Sequence, residues 1–151
     1  MTANSAWEAL LDAHAVLTKR FAAEDVWGDL SMREYDVLYT LSKRAGPMRL
    51  SELNRHVLLS QPAVSRLAER LVARGLITRE LDSADRRGLR LLLSERGRAV
   101  QREIGRRHAR GVARAVRAAL TDDEQRQLEA RRSTPASRRA SPARTPTAAT
   151  T

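Results

Sequence analysis

The chain contains no cysteine. Disulfides, thiol-based redox sensing and cysteine-ligated metals are therefore excluded. Aromatic residues are scarce, 3% of 151, so Leu, Val and Ala must fill the core. No apolar run approaches the roughly 18 residues that suggest a membrane span. Lysine is nearly absent as well: 26 of the 28 basic residues are arginine. That bias reflects GC-rich coding DNA and carries no functional weight. The three histidines, His14, His56 and His108, are too far apart in sequence to match a zinc spacing. No Ser-His-Asp set, paired catalytic carboxylates, phosphate-binding glycine loop or metal-ligand cluster stands out, so neither an enzyme nor a bound cofactor is expected. Glu8 and Asp12 interrupt the first apolar stretch, unlike a signal peptide. The cytoplasm is the expected location.

What the chain has is positive charge, unevenly placed. The net charge is +10. Residues 49–110 carry 15 basic and 7 acidic side chains and residues 131–151 carry five basic and none acidic, while residues 1–48 carry 5 basic and 7 acidic. A segregated basic region is the footprint of a polyanion binder, although charge alone also fits a basic, soluble surface.

The elements read as mainly helical with one small β-hairpin. Leu10, Leu11, Val16, Leu17 and Phe21 fall at helical spacing over residues 5–24. Ser31 and Glu34 form a capping box opening a second helix that ends at Gly46-Pro47. A short helix follows from about Ser51 to Val57. Ser60 is placed to cap a fourth helix, with Pro62 tolerated in its first turn and Gly75 at its end. Residues 76–81 and 89–93 read as paired strands about the polar loop Asp82 to Gly88. A long helix runs from Ser94-Glu95 to about Ala119, and Thr121 and Glu124 box the start of a sixth. The Arg/Ser/Pro/Thr stretch 131–151 holds no large apolar residue and is expected to be a disordered basic tail. Two origins fit its abrupt onset, a natural extension or a shift of reading frame.

A capped helix followed by a basic hairpin suits duplex DNA. The helix fits the major groove and an arginine loop reaches the adjacent minor groove.

This order of elements is that of a winged helix-turn-helix between flanking helices, and here the chain closely resembles the MarR family of bacterial transcriptional regulators. Three segments carry the resemblance. Leu30-Ser31 with Tyr35-Asp36-Val37-Leu38 is similar to the family's second helix. Leu50 to Leu53 with Leu59 to Ile77 is similar to its helix-turn-helix. Asp85-Arg86-Arg87, five residues, then Leu93-Ser94 resembles its wing pattern, with Ser94 in place of Thr. The resemblance covers roughly residues 5–130, with 31–94 as the winged helix-turn-helix and 5–24 and 95–130 as dimerisation helices. It implies a homodimer on a pseudo-palindromic operator, usually a repressor, released by a small phenolic or lipophilic effector. Release by oxidation needs cysteine and is not expected. The family's fuller sixth helix is shortened here, which bears on dimer stability.

Individual residues take expected roles on that frame. Gln61 can contact adenine through both side-chain atoms, Pro62 can pack on a thymine methyl, and Ser65, Arg66 and Arg70 can reach bases or backbone. Ser60 starts the helix and belongs to the same face. For any one of these, simply starting a stable helix is the competing reading. Asp85 fixes the loop so that Arg86 or Arg87 enters the minor groove; a solvated turn is the alternative. Arg49, Arg55, His56 and Arg90 are candidates for backbone phosphate. Glu69 is expected to pair with a nearby arginine. Leu10, Leu17, Val100, Ile104, Val112 and Val116 are expected at a dimer interface, or else in the chain's own core. The resemblance places an effector between wing domain and dimer helices, where His14, Trp27, Tyr35 and His108 can lie; ordinary core positions are the alternative. The competing function is a sequence-tolerant DNA-coating or architectural protein driven by basic surface and tail.

Overall fold

Capping boxes and a left-handed glycine set the frame of the computed structural model, which describes residues 2–82 and 89–132. In chain order the elements are α1 (Ala3–Ala22), α2 (Met32–Ser42), β1 (Met48–Arg49), α3 (Leu50–His56), α4 (Gln61–Ala73), β2 (Ile77–Leu81), β3 (Leu89–Leu93), α5 (Glu95–Ala119) and α6 (Asp122–Arg132). The expected wing-tip residues Asp85, Arg86 and Arg87 and the basic tail beyond residue 132 lie outside the described residues.

At the start of α2 the Ser31 N–H donates to Glu34 Oε2 at 2.8 Å, and the Glu34 N–H donates to Ser31 Oγ at 3.2 Å. Thr121 and Glu124 repeat the arrangement at α6. Gly75 follows the last turn of α4 with φ +67°, a conformation that costs glycine little and turns the chain into β2. The helix α2 ends earlier than the Gly46-Pro47 signal suggests. Lys43 caps it, its N–H shared between the carbonyls of Thr40 and Leu41.

The sheet has three antiparallel strands in the order β1-β3-β2. The hairpin β2–β3 is in the expected place. The strand β1 was not expected: two residues are too few to show a period. It sets Met48 opposite Leu91 and Arg49 opposite Arg90.

Met1–Ala113 and Arg114–Thr151 form two compact units. In the first, one core joins Val37, Leu38 and Leu41 of α2, Leu53 of α3, Val64, Leu67 and Leu71 of α4, Ile77, Leu91 and Leu93 of the sheet, and Ile104 of α5. Most of its volume is aliphatic, as the shortage of aromatics requires. Val100 packs against the same core. Ile104 and Val100, expected on a subunit face, therefore belong to the chain's own interior, because α5 lies along the core in this region. The helix α1 is the opposite case: it has no buried residue.

Ser94 ties the sheet to α5. Its hydroxyl donates to the Gly75 carbonyl at 2.7 Å and accepts the Gly97 N–H at 2.9 Å, while its own N–H donates to the Leu76 carbonyl at 3.1 Å. The backbone of Leu76 comes so close to Gly97 that a Cβ there would overlap the carbonyl oxygen.

In the second unit, Val116, Leu120, Gln125, Leu128, Glu129 and Arg131 line an open hollow of about 650 Å³. Among the described residues no helix is long and apolar enough to cross a membrane.

Candidate nucleic-acid interface

The helix α4 is amphipathic over its full length. Val64, Leu67, Ala68 and Leu71 are buried on one side, because their i, i+3, i+4, i+7 spacing lines up one face. Gln61, Pro62, Arg66, Glu69 and Arg70 are exposed on the other, with Ser65 half-buried between them. Apolar burial fixes the helix and leaves the polar side available for contacts.

Ser60 occupies the N-cap position with extended backbone, but its hydroxyl makes no capping bond. Pro62 removes one of the amides that would need a partner. The first turn thus presents backbone donors together with a hydroxyl, an arrangement suited to an anion.

Arg70 has a definite partner, though not the neighbouring Glu69: its Nε lies 3.4 Å from Glu34 Oε1 of α2. Burial raises the pKa of the Glu34 carboxyl. The Ser31 N–H and hydroxyl, and then Arg70, outweigh that and hold it below its usual range. Arg74 donates to the Asp29 carbonyl at 2.9 Å, a second tie between α4 and the segment before α2.

Arg49 and Arg55 are joined by Arg90, distant in sequence, in one groove of about 600 Å³, which Arg44 also lines. Arg49 and Arg90 both engage Asp82, whose side chain is wholly buried. Neither Asp82 nor Arg44 stood out in the sequence. The Arg49–Asp82 pair spans 33 residues, beyond the reach of any local pattern. His56 is exposed at the end of α3.

A smaller hollow of about 170 Å³ lies between α4 and the sheet, lined by Leu50, Ser65, Ala68, Glu69, Arg79, Leu89 and Leu91.

Of the four candidate effector residues, three converge. The Trp27 ring is 5.3 Å from Tyr35 and 4.8 Å from His108, and Phe21 meets His108 edge-on at 5.0 Å. The indole N–H donates to the Phe21 carbonyl at 2.9 Å. His108 Nδ1 lies 3.2 Å from Glu24 Oε2. Burial raises the pKa of the nearby Asp36 carboxyl, with His108 opposing. The rings fill their own space. The adjoining hollow, about 200 Å³, is bounded by Trp27, Leu30, Arg74, Val100 and Ile104 but not by Tyr35 or His108. His14 is exposed on α1.

Of the expected interface residues, Leu10 is exposed, Leu17, Val112 and Val116 are half-buried, and Ile104 is buried. Sequence reading missed Trp7, which is 58% exposed near the start of α1.

A family model described as the MarR family matches residues 28–88, from the residue preceding Asp29 and Leu30 to the wing. An uncharacterized HTH-type transcriptional regulator of Bacillus subtilis (strain 168), YkoM, is 34% identical over 95 residues, or 63% of this chain and 60% of the relative. The match thus spans less than two thirds of that relative's length. Among solved structures, AbsC, a MarR family transcriptional regulator from Streptomyces coelicolor, is 27% identical with a TM-score of 0.73, over 88% of this chain and 92% of that one. A probable transcriptional regulator from Pseudomonas aeruginosa is 30% identical with a TM-score of 0.61, over 75% of this chain and 86% of that one. Winged helix, α4 and flanking helices thus agree with sequence and structural similarity alike, and the chain belongs to the MarR family.

Proposed function

We propose that the protein is a dimeric transcriptional repressor that binds a pseudo-palindromic operator and leaves it when a small phenolic or lipophilic molecule binds. The observation that carries this reading is α4: its apolar side is fully committed to the core, while Gln61, Pro62 and Arg66 stand exposed on the opposite side. In this reading α4 lies in the major groove. Gln61 reads adenine, Pro62 meets a thymine methyl, Arg66 reaches guanine or backbone, and Ser65 adds a hydroxyl. Ser60 and the first-turn amides hold a phosphate. Asp85, Arg86 and Arg87 form the wing tip that enters the minor groove, and Arg49, Arg55 and Arg90 take backbone phosphates. Arg70 plays the smaller part, because Glu34 already holds it.

The unburied apolar side chains of α1 support a second copy as partner. Trp7, Leu10, Leu11 and Val16 are all roughly half or more exposed. A helix whose C-terminal Phe21 alone packs against the core gains little from tertiary packing, the usual source of helix stability, and a patch of this kind marks an interface. Leu10 and Leu17, with Val112 and Val116, are the residues assigned to it. The effector is assigned to the region of Trp27, Tyr35 and His108, with the adjoining hollow as the space available; His14 is the outlying member.

The test is competition among operator-like duplexes. Gln61→Ala is expected to change the order of preference among them at constant salt, with helical content preserved. An unchanged order would remove α4 from base recognition. Near-equal affinity of the unaltered protein for every duplex would favour a DNA-coating role instead.

A further inference from the structure

Arg49 and Arg90 face each other directly across the β1–β3 pair. Like charges at directly opposed positions repel. A single carboxylate oxygen offsets this pair. Asp82 Oδ2 accepts from Arg49 Nε at 2.6 Å, and also meets Arg49 Nη2, while Arg90 Nε lies 3.1 Å from the same atom. The Asp82 side chain is fully buried, whereas Arg49 and Arg90 remain 41% and 35% exposed. A buried carboxylate is costly unless paired, so Asp82 acts as an anchor from which two guanidinium groups reach the surface.

Both arginines line the groove of about 600 Å³, whose other walls carry Arg44, from the turn after α2, and Arg55, from α3. Glu52 is there too, but its carboxylate is engaged: it accepts the Arg49 N–H at 3.1 Å. That bond, against a cost of burial, and then Arg44, Arg55 and Arg90 hold its pKa below the usual range. Among the described residues, four guanidinium groups against the carboxylates of Glu52 and Asp82 leave an excess of two positive charges. Such crowding opposes folding by self-repulsion, and a multi-oxygen anion offsets it through charge-assisted, forked hydrogen bonds.

We propose that this groove is a seat for a phosphate oxyanion, in which Asp82 fixes Arg49 and Arg90 and in which Arg44 and Arg55 supply the further charge. The proposal deepens the DNA-binding reading and rests on it for the favoured occupant, a backbone phosphodiester. The first helix of a helix-turn-helix crosses the backbone, and here α3 carries Ser51 and Arg55, one turn apart, on the groove. The phosphate of a small ligand presents the same oxygens. Asp82 is a positioning residue and touches no ligand.

The experiment uses the full chain, with Arg44→Ala, Arg55→Ala and Asp82→Asn. Two quantities are measured: the slope of log affinity against log salt on the protein's own upstream duplex and on a scrambled one, and thermal stabilisation by inorganic pyrophosphate. Arg44 and Arg55 are exposed, so those variants retain the fold even if Asp82→Asn does not. Arg55→Ala is expected to flatten the slope by about one on both duplexes, and both alanine variants to lose the pyrophosphate stabilisation. Loss of stabilisation with unchanged slopes would keep the seat but assign it to a small phosphorylated ligand. No change in either quantity would overturn the proposal.

Asp82→Asn separates positioning from charge. Removing a negative charge by itself makes DNA binding tighter and steeper in salt. Loss of positioning makes it weaker and shallower, at unchanged helicity. The second result is expected, and the first would overturn the role of Asp82. Equal binding of the unaltered protein to both duplexes would defeat the operator reading; a flattened slope in Arg55→Ala would still establish the seat.

Discussion

Arg70 Nε of α4 lies 3.4 Å from Glu34 Oε1 of α2. The same Glu34 closes the capping box on Ser31 through its other oxygen, Oε2. One carboxylate therefore starts α2 and braces the helix proposed to read DNA.

Glu34 makes stability pH-dependent. Its folded pKa is depressed, so the unfolded chain binds more protons in the interval between the folded and unfolded values. The stabilisation is complete above the ordinary glutamate pKa of about 4.3 and is lost as pH falls through the lower folded value. Glu34→Gln is expected to lower the melting temperature near neutral pH, and the difference from the unaltered protein should shrink below about pH 4. A difference that stays constant from pH 7 to pH 3 would show that the charge on Glu34 is irrelevant. The exposed Arg70 contributes little by itself, at most about 1 kcal/mol.

Arg66→Ala and Arg70→Ala should part in their effect on DNA. Arg66 is exposed and free to turn toward a duplex, while Arg70 must first leave Glu34. Arg66→Ala is expected to cost the larger loss of affinity, about 1–3 kcal/mol if it reads a base. Titration of both variants against one duplex at one salt concentration measures the difference. A larger loss for Arg70→Ala would shift the interface toward the C-terminal half of α4.

The joint between sheet and α5 should tolerate little change. Ser94→Ala removes the bonds to the Gly75 carbonyl and the Gly97 N–H and is expected to cost about 1–2 kcal/mol, as loss of a helix cap does. Ser94→Thr keeps the hydroxyl and should be nearly neutral. Gly97→Ala forces a methyl against the Leu76 carbonyl and should cost about 1–3 kcal/mol. Denaturant unfolding of the three variants ranks them; a neutral Gly97→Ala would mean that the α5 contact relaxes freely.

Much of this architecture is legible in local sequence. Ser31 with Glu34, Thr121 with Glu124, and Gly75 after α4 each act within a few residues, and each stands where short-range chemistry puts it. What is not legible depends on distant partners. The strand β1 exists because β3 offers it a ladder, and Asp82 acquires its role from Arg49 and Arg90, residues on two different strands. The apolar stripe of α5 identifies an inward side but not whose interior it faces. Ile104 and Val100 are answered by this chain's own core, whereas the exposed residues of α1 are not.

Breaking the proposed subunit contact tests α1. Leu10→Glu adds a charge to a side chain that is 61% exposed in the single chain, so it should leave the folded core intact. It is expected to shift sedimentation from dimer to monomer and to weaken operator binding together. An unchanged dimer would place the interface elsewhere.

The most direct measurement is binding of the full chain to its own upstream intergenic DNA and to a scrambled duplex, across a salt series, with stoichiometry. A dimeric regulator predicts a preference of about a thousandfold at fixed salt, with two chains per palindromic site. Equal, steeply salt-dependent binding to both duplexes would contradict it and leave a basic protein that coats DNA without reading it.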